Sequence, residues 1–123
     1  MFHKLTIVGH VGRTAEMRVT PNGKEVTSFS VACQDGFGDN KKTIWYNVEA
    51  WGKTAEICNQ YVQKGMLVLV DGRLKPDAAT GNPRIWTDNS GSARSTFELV
   101  ANEVRFLSKV EQQTVAPEDS EPF

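Results

Sequence analysis

The most regular alternation of apolar and polar residues in the chain runs through Thr43-Ile44-Trp45-Tyr46-Asn47-Val48-Glu49-Ala50-Trp51. β-Branched and aromatic residues dominate it, so the pattern predicts a strand. Successive side chains of a strand point to opposite sides. Ile44, Tyr46, Val48 and Ala50 therefore form one stripe suited to a core, and Trp45, Asn47, Glu49 and Trp51 form the other. A face with Asn and Glu at its centre belongs in water, which leaves two indoles exposed about 20 Å apart along the strand. Such a surface can stack unpaired nucleobases; it can also pack against another layer of the protein or a partner subunit.

The same patterning predicts the other elements. Phe2 to Val11 alternates loosely, with Leu5, Ile7 and Val11 on one side and Lys4, Thr6 and Val8 on the other; Gly9 and Gly12 then permit a bend or bulge. Ala15 to Thr20 stays extended up to Pro21-Asn22-Gly23-Lys24, a tight-turn sequence. Glu25 to Gln34 turns Phe29, Val31 and Cys33 inward and the small Ser28, Ser30 and Ala32 outward. Asp35 to Lys42 has the composition of a loop. Lys53 to Lys64 is the one helix candidate, with Ala55, Cys58, Tyr61 and Val62 at helical spacing and Gly65 as its stop.

Met66 to Val70 is a short continuous apolar run, expected to be a buried strand, followed by Asp71-Gly72-Arg73-Leu74-Lys75. Pro76 to Pro83 is a loop, and Ile85 to Gly91 supplies one arm and the turn of a hairpin. Thr96 to Leu107 is a long last strand. Its inward phase slips from Phe97, Leu99 and Ala101 to Val104 and Phe106, which predicts a bulge near Asn102. The expected fold class is therefore all-β with one short helix. Five strands with the helix between the third and fourth is the order of the OB-fold, a Greek-key barrel whose strand face and loops bind oligonucleotides; other small β-barrels share that order. The expected domain is residues 1–110, and residues 111–123 are expected to form a disordered acidic tail.

Charge changes the picture only once it is located. The chain of 123 residues carries a net charge of −1, an ordinary value for a soluble protein. Residues 1–110 hold all 14 basic residues against 11 acidic ones, a balance of +3, whereas Glu111, Glu118, Asp119 and Glu121 give the tail −4. Phosphate attraction must then come from local clustering. Cys33 and Cys58 lie 25 residues apart with no ligand-spaced Cys or His beside them, so free thiols of a reducing compartment are expected. No apolar run approaches the ~20 residues of a membrane span, and no signal or transit peptide is visible.

Catalysis has no foothold: His3 and His10 are isolated, and no phosphate-cradling loop, metal motif or nucleophile elbow is present. No cofactor is implied. A binding surface is better supported. Trp86 beside Arg84 sits on the hairpin, placed either to hold a strand against the barrel or to cover the core. Phe37 lies in a glycine-flanked polar loop with little core to join. Arg73 and Lys75 alternate around Leu74 and should emerge together beside the Trp-bearing strand; Lys4, Arg18 and Lys53 are further candidates, each also readable as a plain surface charge. Aromatics interleaved with bases fit sequence-tolerant single-strand binding. The last residues, Glu118-Asp119-Ser120-Glu121-Pro122-Phe123, offer a carboxylate cluster and a terminal aromatic to a basic-rimmed pocket of another protein. A merely solubilising end is the alternative.

Several of these segments together resemble the bacterial single-stranded DNA-binding proteins: Leu5-Thr6-Ile7-Val8-Gly9, Pro21-Asn22-Gly23, Phe29-Ser30-Val31-Ala32, Trp45-Tyr46-Asn47-Val48, Trp51-Gly52-Lys53, Tyr61-Val62-Gln63-Lys64-Gly65, Val70-Asp71-Gly72-Arg73-Leu74 and Trp86-Thr87-Asp88. The terminal Asp119 to Phe123 resembles that family's acidic Pro-Phe tip. The resemblance implies an OB-fold homotetramer in the cytoplasm, associated with the nucleoid, that wraps single-stranded DNA without sequence preference. It also implies recruitment of replication, recombination and repair proteins through Glu118, Asp119, Glu121, Pro122 and Phe123. Trp45 and Trp86 match stacking positions of the family, Trp51 stands where Phe is usual, and Phe37 matches loosely. The chain departs from the family at His10, which replaces an Asn, in the inserted Pro76 to Pro83, and in the shortness of its tail. The competing reading is a replication-accessory OB-fold protein whose aromatic face binds proteins; an RNA-binding module is a third.

Overall fold

A computed structural model describes residues 1–108 of the chain. The readings made above for residues 111–123 lie outside them. Seven strands and one α-helix follow in the order β1 (Leu5–Val19), β2 (Glu25–Asp35), β3 (Lys42–Trp51), α1 (Gly52–Tyr61), β4 (Leu67–Leu74), β5 (Ile85–Thr87), β6 (Ala93–Ser95) and β7 (Phe97–Phe106). Five of them close a barrel in the order β1-β2-β3-β7-β4. All barrel pairs are antiparallel except β3 with β7. With α1 between the third and fourth barrel strands, this is the five-stranded OB-type Greek-key barrel. The β5–β6 hairpin stands apart from it as a two-stranded sheet.

The core follows the period-2 pattern. Val11, Phe29, Val31, Val48, Val68, Val70 and Leu99 are essentially inaccessible to solvent. On α1, Ala55 and Cys58 are buried, and Thr27 Oγ1 donates to the Ala55 carbonyl at 2.7 Å to tie the helix to β2. The turn at Pro21 to Lys24 closes with Thr20 and Gly23 paired, Gly23 adopting φ +84°. Asn102 is skipped where β4 and β7 shift register between Asp71–Glu103 and Gly72–Ala101, so the expected bulge is present. Both cysteines are free.

Three local expectations differ. Phe97 was expected inward, yet it is 53% exposed, because it starts β7 at the barrel rim, where its ring leans on Tyr46 at 5.8 Å. Gly65 does not stop α1: the helix ends at Tyr61, which the extended backbone of Val62 follows, and Gly65 instead donates to the Val11 carbonyl from the next turn. The apolar run in β4 is not buried on both sides. Val68 and Val70 face the core, whereas Leu67 and Leu69 are half-buried on the outer surface beside Val8 of β1.

Candidate nucleic-acid interface

β3 places its odd-numbered residues on the outside of the barrel. Trp45 is 52% exposed and Trp51 38%, while Ala50 and Val48 between them are fully buried. The neighbouring strands extend this face through the register: Ala32, Ser30 and Ser28 of β2 lie opposite Trp45, Asn47 and Glu49, and Glu98 and Val100 of β7 lie beside Asn47 and Glu49. Arg73 of β4 is the next residue out from Val100. The small Ala32 opposite Trp45 leaves that indole standing proud. The Oδ1 of Asn47, at the centre of the face, is buried without a hydrogen-bond partner among the described residues. Such an unmet acceptor costs about 1–3 kcal/mol, and folding has left it in the middle of this surface.

Trp45 owes its position to a glycine on β1, one strand beyond its neighbour β2. A Cβ added at Gly12 would stand 2.8 Å from Trp45 Cη2 and 3.1 Å from Ser30 Oγ, with Trp45 Cζ3 closer still. The ring therefore lies on the Gly12 backbone. Gly12 reads in the sequence only as a bend; its use as a seat for an indole depends on the β1–β2–β3 register, which no local pattern reveals. The bend itself is present, since β1 shifts register against β2 between Val11 and Arg13.

The other aromatics lie at the end of β3, on the hairpin and in the β2–β3 loop. Trp51 lines a surface cavity of about 570 Å³ that also takes in Lys24 of the β1–β2 turn and Lys53 at the start of α1. Glu25 and Glu56 form its acidic wall, and their mutual hydrogen bond raises the Glu25 carboxyl above its usual range. Trp86 is 41% exposed on β5, and its Nε1–H donates to Thr96 Oγ1 at 2.9 Å, which fixes the ring at the root of the hairpin. At the tip, Asp88 accepts from Arg94 Nε at 2.8 Å and from Ser90 and Ser92. Those bonds, the Arg94 guanidinium first, bring the Asp88 carboxyl down to about 2. Phe37, 90% exposed in the β2–β3 loop, contacts no core.

The basic residues divide into two sets. Lys75 Nζ bonds both carboxylate oxygens of Glu49 at 2.9 and 3.0 Å, and Arg84 bonds Glu98 at 3.1 Å. Lys4 pairs with Asp71 at 3.2 Å, drawing that carboxyl below its usual range. Arg18 donates to Ser28 Oγ at 3.3 Å on the outer face, and Arg73 and Lys53 have no carboxylate partner among the described residues. Arg73 and Lys75 thus emerge on the Trp-bearing side together, as their alternation implies. The pairing of Lys75 and Arg84 also has a structural effect, for it straps both ends of the Pro76 to Pro83 loop onto β3 and β7 beside the platform. Arg13, which the sequence pattern does not single out, is exposed next to Gly12 and also has no carboxylate partner among the described residues.

An outer face built from the small residues of the second strand and the indoles of the third, with an aromatic hairpin between the last two barrel strands, is a nucleic-acid-binding layout of this fold. Comparison with known proteins agrees with it. The chain is 35% identical over 111 residues, 85% of its length and 64% of the relative's, to "Single-stranded DNA-binding protein 1" of Chlorobaculum tepidum. It is 34% identical over 110 residues to the "Single-stranded DNA-binding protein" of Neisseria meningitidis serogroups A and B, covering 85% of this chain and 59% of each relative. The chain thus spans about 60% of the length of these curated relatives. Residues 2–107 match the family described as the single-strand binding protein family, and the chain belongs to that family.

Proposed function

We propose that this chain binds single-stranded DNA without sequence preference and without catalysing a reaction, covering and protecting it during replication, recombination and repair. One observation carries the reading: two half-exposed indoles stand on the outer face of β3, Trp45 of them seated on a glycine backbone rather than on core side chains. Trp45, Trp51 and Trp86 stack bases, with Phe37 joining from its loop; each stacked base contributes about 1–3 kcal/mol. Arg18, Lys53 and Arg73 take phosphates. Lys4, Lys75 and Arg84 act chiefly by neutralising Asp71, Glu49 and Glu98, which would otherwise repel the DNA backbone. The protein works in the cytoplasm on the nucleoid, and no helix among the described residues is long and apolar enough to cross a membrane.

Assembly and recruitment belong to the same proposal. The first residues of β1, Leu5 to Gly9, pair with β4 but have no registered partner on β2, which starts pairing at His10. This open stretch, with Val8 exposed on it, supports association of copies through β1, and a homotetramer is the expected assembly. Replication and repair proteins dock on the tip Glu118, Asp119, Glu121, Pro122 and Phe123.

Titration with oligo-dT tests the reading: tryptophan fluorescence should quench at low salt, and affinity should fall as salt rises. Absence of quenching at low salt refutes it. The ion-paired state of Lys75 and Arg84 favours a second reading, in which a nearly neutral aromatic face binds a replication protein instead. That reading requires oligo-dT to leave the fluorescence unchanged.

A further inference from the structure

The bulge of β1 gathers three side chains that no reading above combines. The register puts His10 opposite Ala32, and Ala32 opposite Trp45, so the three form one outward row across β1, β2 and β3. Two interstrand steps separate the imidazole and indole positions, about 10 Å, and only a methyl group stands between them. Beyond the next pair, Val11 with Val31, the register shift sets Gly12 and Arg13 together against Ser30. Bulges of this kind re-aim a side chain beside a functional site. Here the bulge lays Gly12 under the Trp45 ring and sends Arg13 to the surface next to it.

We propose that His10, Arg13 and Trp45 form a single-nucleotide subsite, in which the base stacks on Trp45, Arg13 grips its phosphate, and His10 borders the base across Ala32. This rests on the single-strand binding proposed above and assigns the part played by β1 in it. Charge accounting leaves Arg13 available to a phosphate beside Trp45. Lys75 and Arg84 are each held by a carboxylate, whereas Arg13 has none among the described residues. The acidic neighbour on its own strand, Glu16, faces Ser28 instead. An unpaired guanidinium presents a planar fork that suits a phosphodiester. The floor of the subsite is Ala32, Ser30 and Gly12, small enough to admit a base to the indole face.

Salt dependence of oligo-dT binding by the full chain tests the assignment. Each phosphate contact to a single strand contributes about −0.7 to the slope of log K against log salt concentration. Arg13→Gln should make the slope shallower by about that amount per engaged protomer, while Arg13→Lys should keep it. Arg105→Gln removes an equal charge that is already paired with Glu103, so its slope should stay at the wild-type value. His10→Ala should weaken binding by about fivefold or more, the low end of one base contact, with tryptophan quenching retained. An unchanged slope in Arg13→Gln, or an equal flattening in Arg105→Gln, overturns the subsite while quenching persists. Loss of quenching in the wild-type protein is a different result and refutes single-strand binding itself.

Discussion

Gly12→Ala separates the binding face from the fold. The added methyl would press on the far edge of the Trp45 indole, 2.8 Å from Cη2 and closer to Cζ3, and stand 3.1 Å from Ser30 Oγ. Gly12 does not adopt a positive φ, so alanine meets no backbone penalty there. Trp45 is half exposed, and its ring can swing outward into solvent without opening the core. Stability should therefore change little. Stacking should suffer, because the ring leaves the orientation in which its face meets the base. Losing one stacked base costs about 1–3 kcal/mol, a roughly fivefold to 150-fold weaker complex per site.

Gly9→Ala and Gly72→Ala supply the contrast. Their new methyl groups would lie 2.9 Å from the carbonyl carbons of Ala32 and Val100, and closer to the oxygens. These are strand backbone atoms that cannot rotate away, and overpacking of this kind costs about 1–3 kcal/mol or more. Their melting temperatures should fall by about 4–8 °C per kcal/mol for a body of this size. Thermal unfolding followed by circular dichroism, and anisotropy of a labelled oligo-dT, measure the two effects separately. A double-mutant cycle with Trp45→Ala completes the assay: Gly12→Ala should lose most of its effect on affinity once the indole is gone. If Gly12→Ala binds like the wild type at unchanged melting temperature, or weakens binding equally in the Trp45→Ala background, the seating argument is wrong.

Three other consequences are simpler to measure. Trp86→Phe keeps an aromatic ring but removes the Nε1–H bond to Thr96, so it should weaken oligo-dT binding less than Trp86→Ala does, as titrations of the two variants can compare. Asp88 is depressed to about 2 in the folded hairpin, so its bonds stabilise the tip above the ordinary carboxylate range and are lost as pH falls toward 2; carboxyl NMR titration should show that midpoint, and Asp88→Asn or Arg94→Gln should loosen the tip while leaving barrel stability unchanged. Burial pushes the Cys58 thiol up to about 11. At pH 8 a maleimide should label Cys33, half-buried and bonded to the Val8 carbonyl, well before Cys58, which should react only on unfolding.

What the sequence disclosed follows from the range of each signal. Alternation in Thr43 to Trp51 is local, and it alone places both indoles outside. The same holds for the slip in phase at Asn102, because a bulge is the only economical way to keep both Leu99 and Val104 directed toward the core. Phe97 broke the pattern because alternation says which side a residue takes but not where the barrel ends; at the rim, the inward side opens to solvent. Gly65 misled for a similar reason. The helix ends at Tyr61, since the extended Val62 turns inward to join the core, and the glycine serves the following turn. Partnerships of charges were out of reach, because Lys75 meets Glu49 only through the closure of β3, β7 and β4.

That closure explains how a chain with a nearly balanced charge can present a surface to a polyanion. The acidic residues of the platform, Glu49 and Glu98, are not free, since Lys75 and Arg84 cover them from the two ends of the Pro76 to Pro83 loop. Removing either cation exposes a carboxylate beside the stacking rings, so its loss acts through repulsion as well as through any phosphate contact forgone. Among the cations without carboxylate partners, Arg13, Arg18 and Arg73 stand to either side of the indoles, on β1 and on β4. The face is therefore neutral at its centre and positive at its margins. A strand laid across it meets apolar rings where its bases are and uncompensated guanidinium groups where its phosphates are, and only the second of these weakens as salt is added.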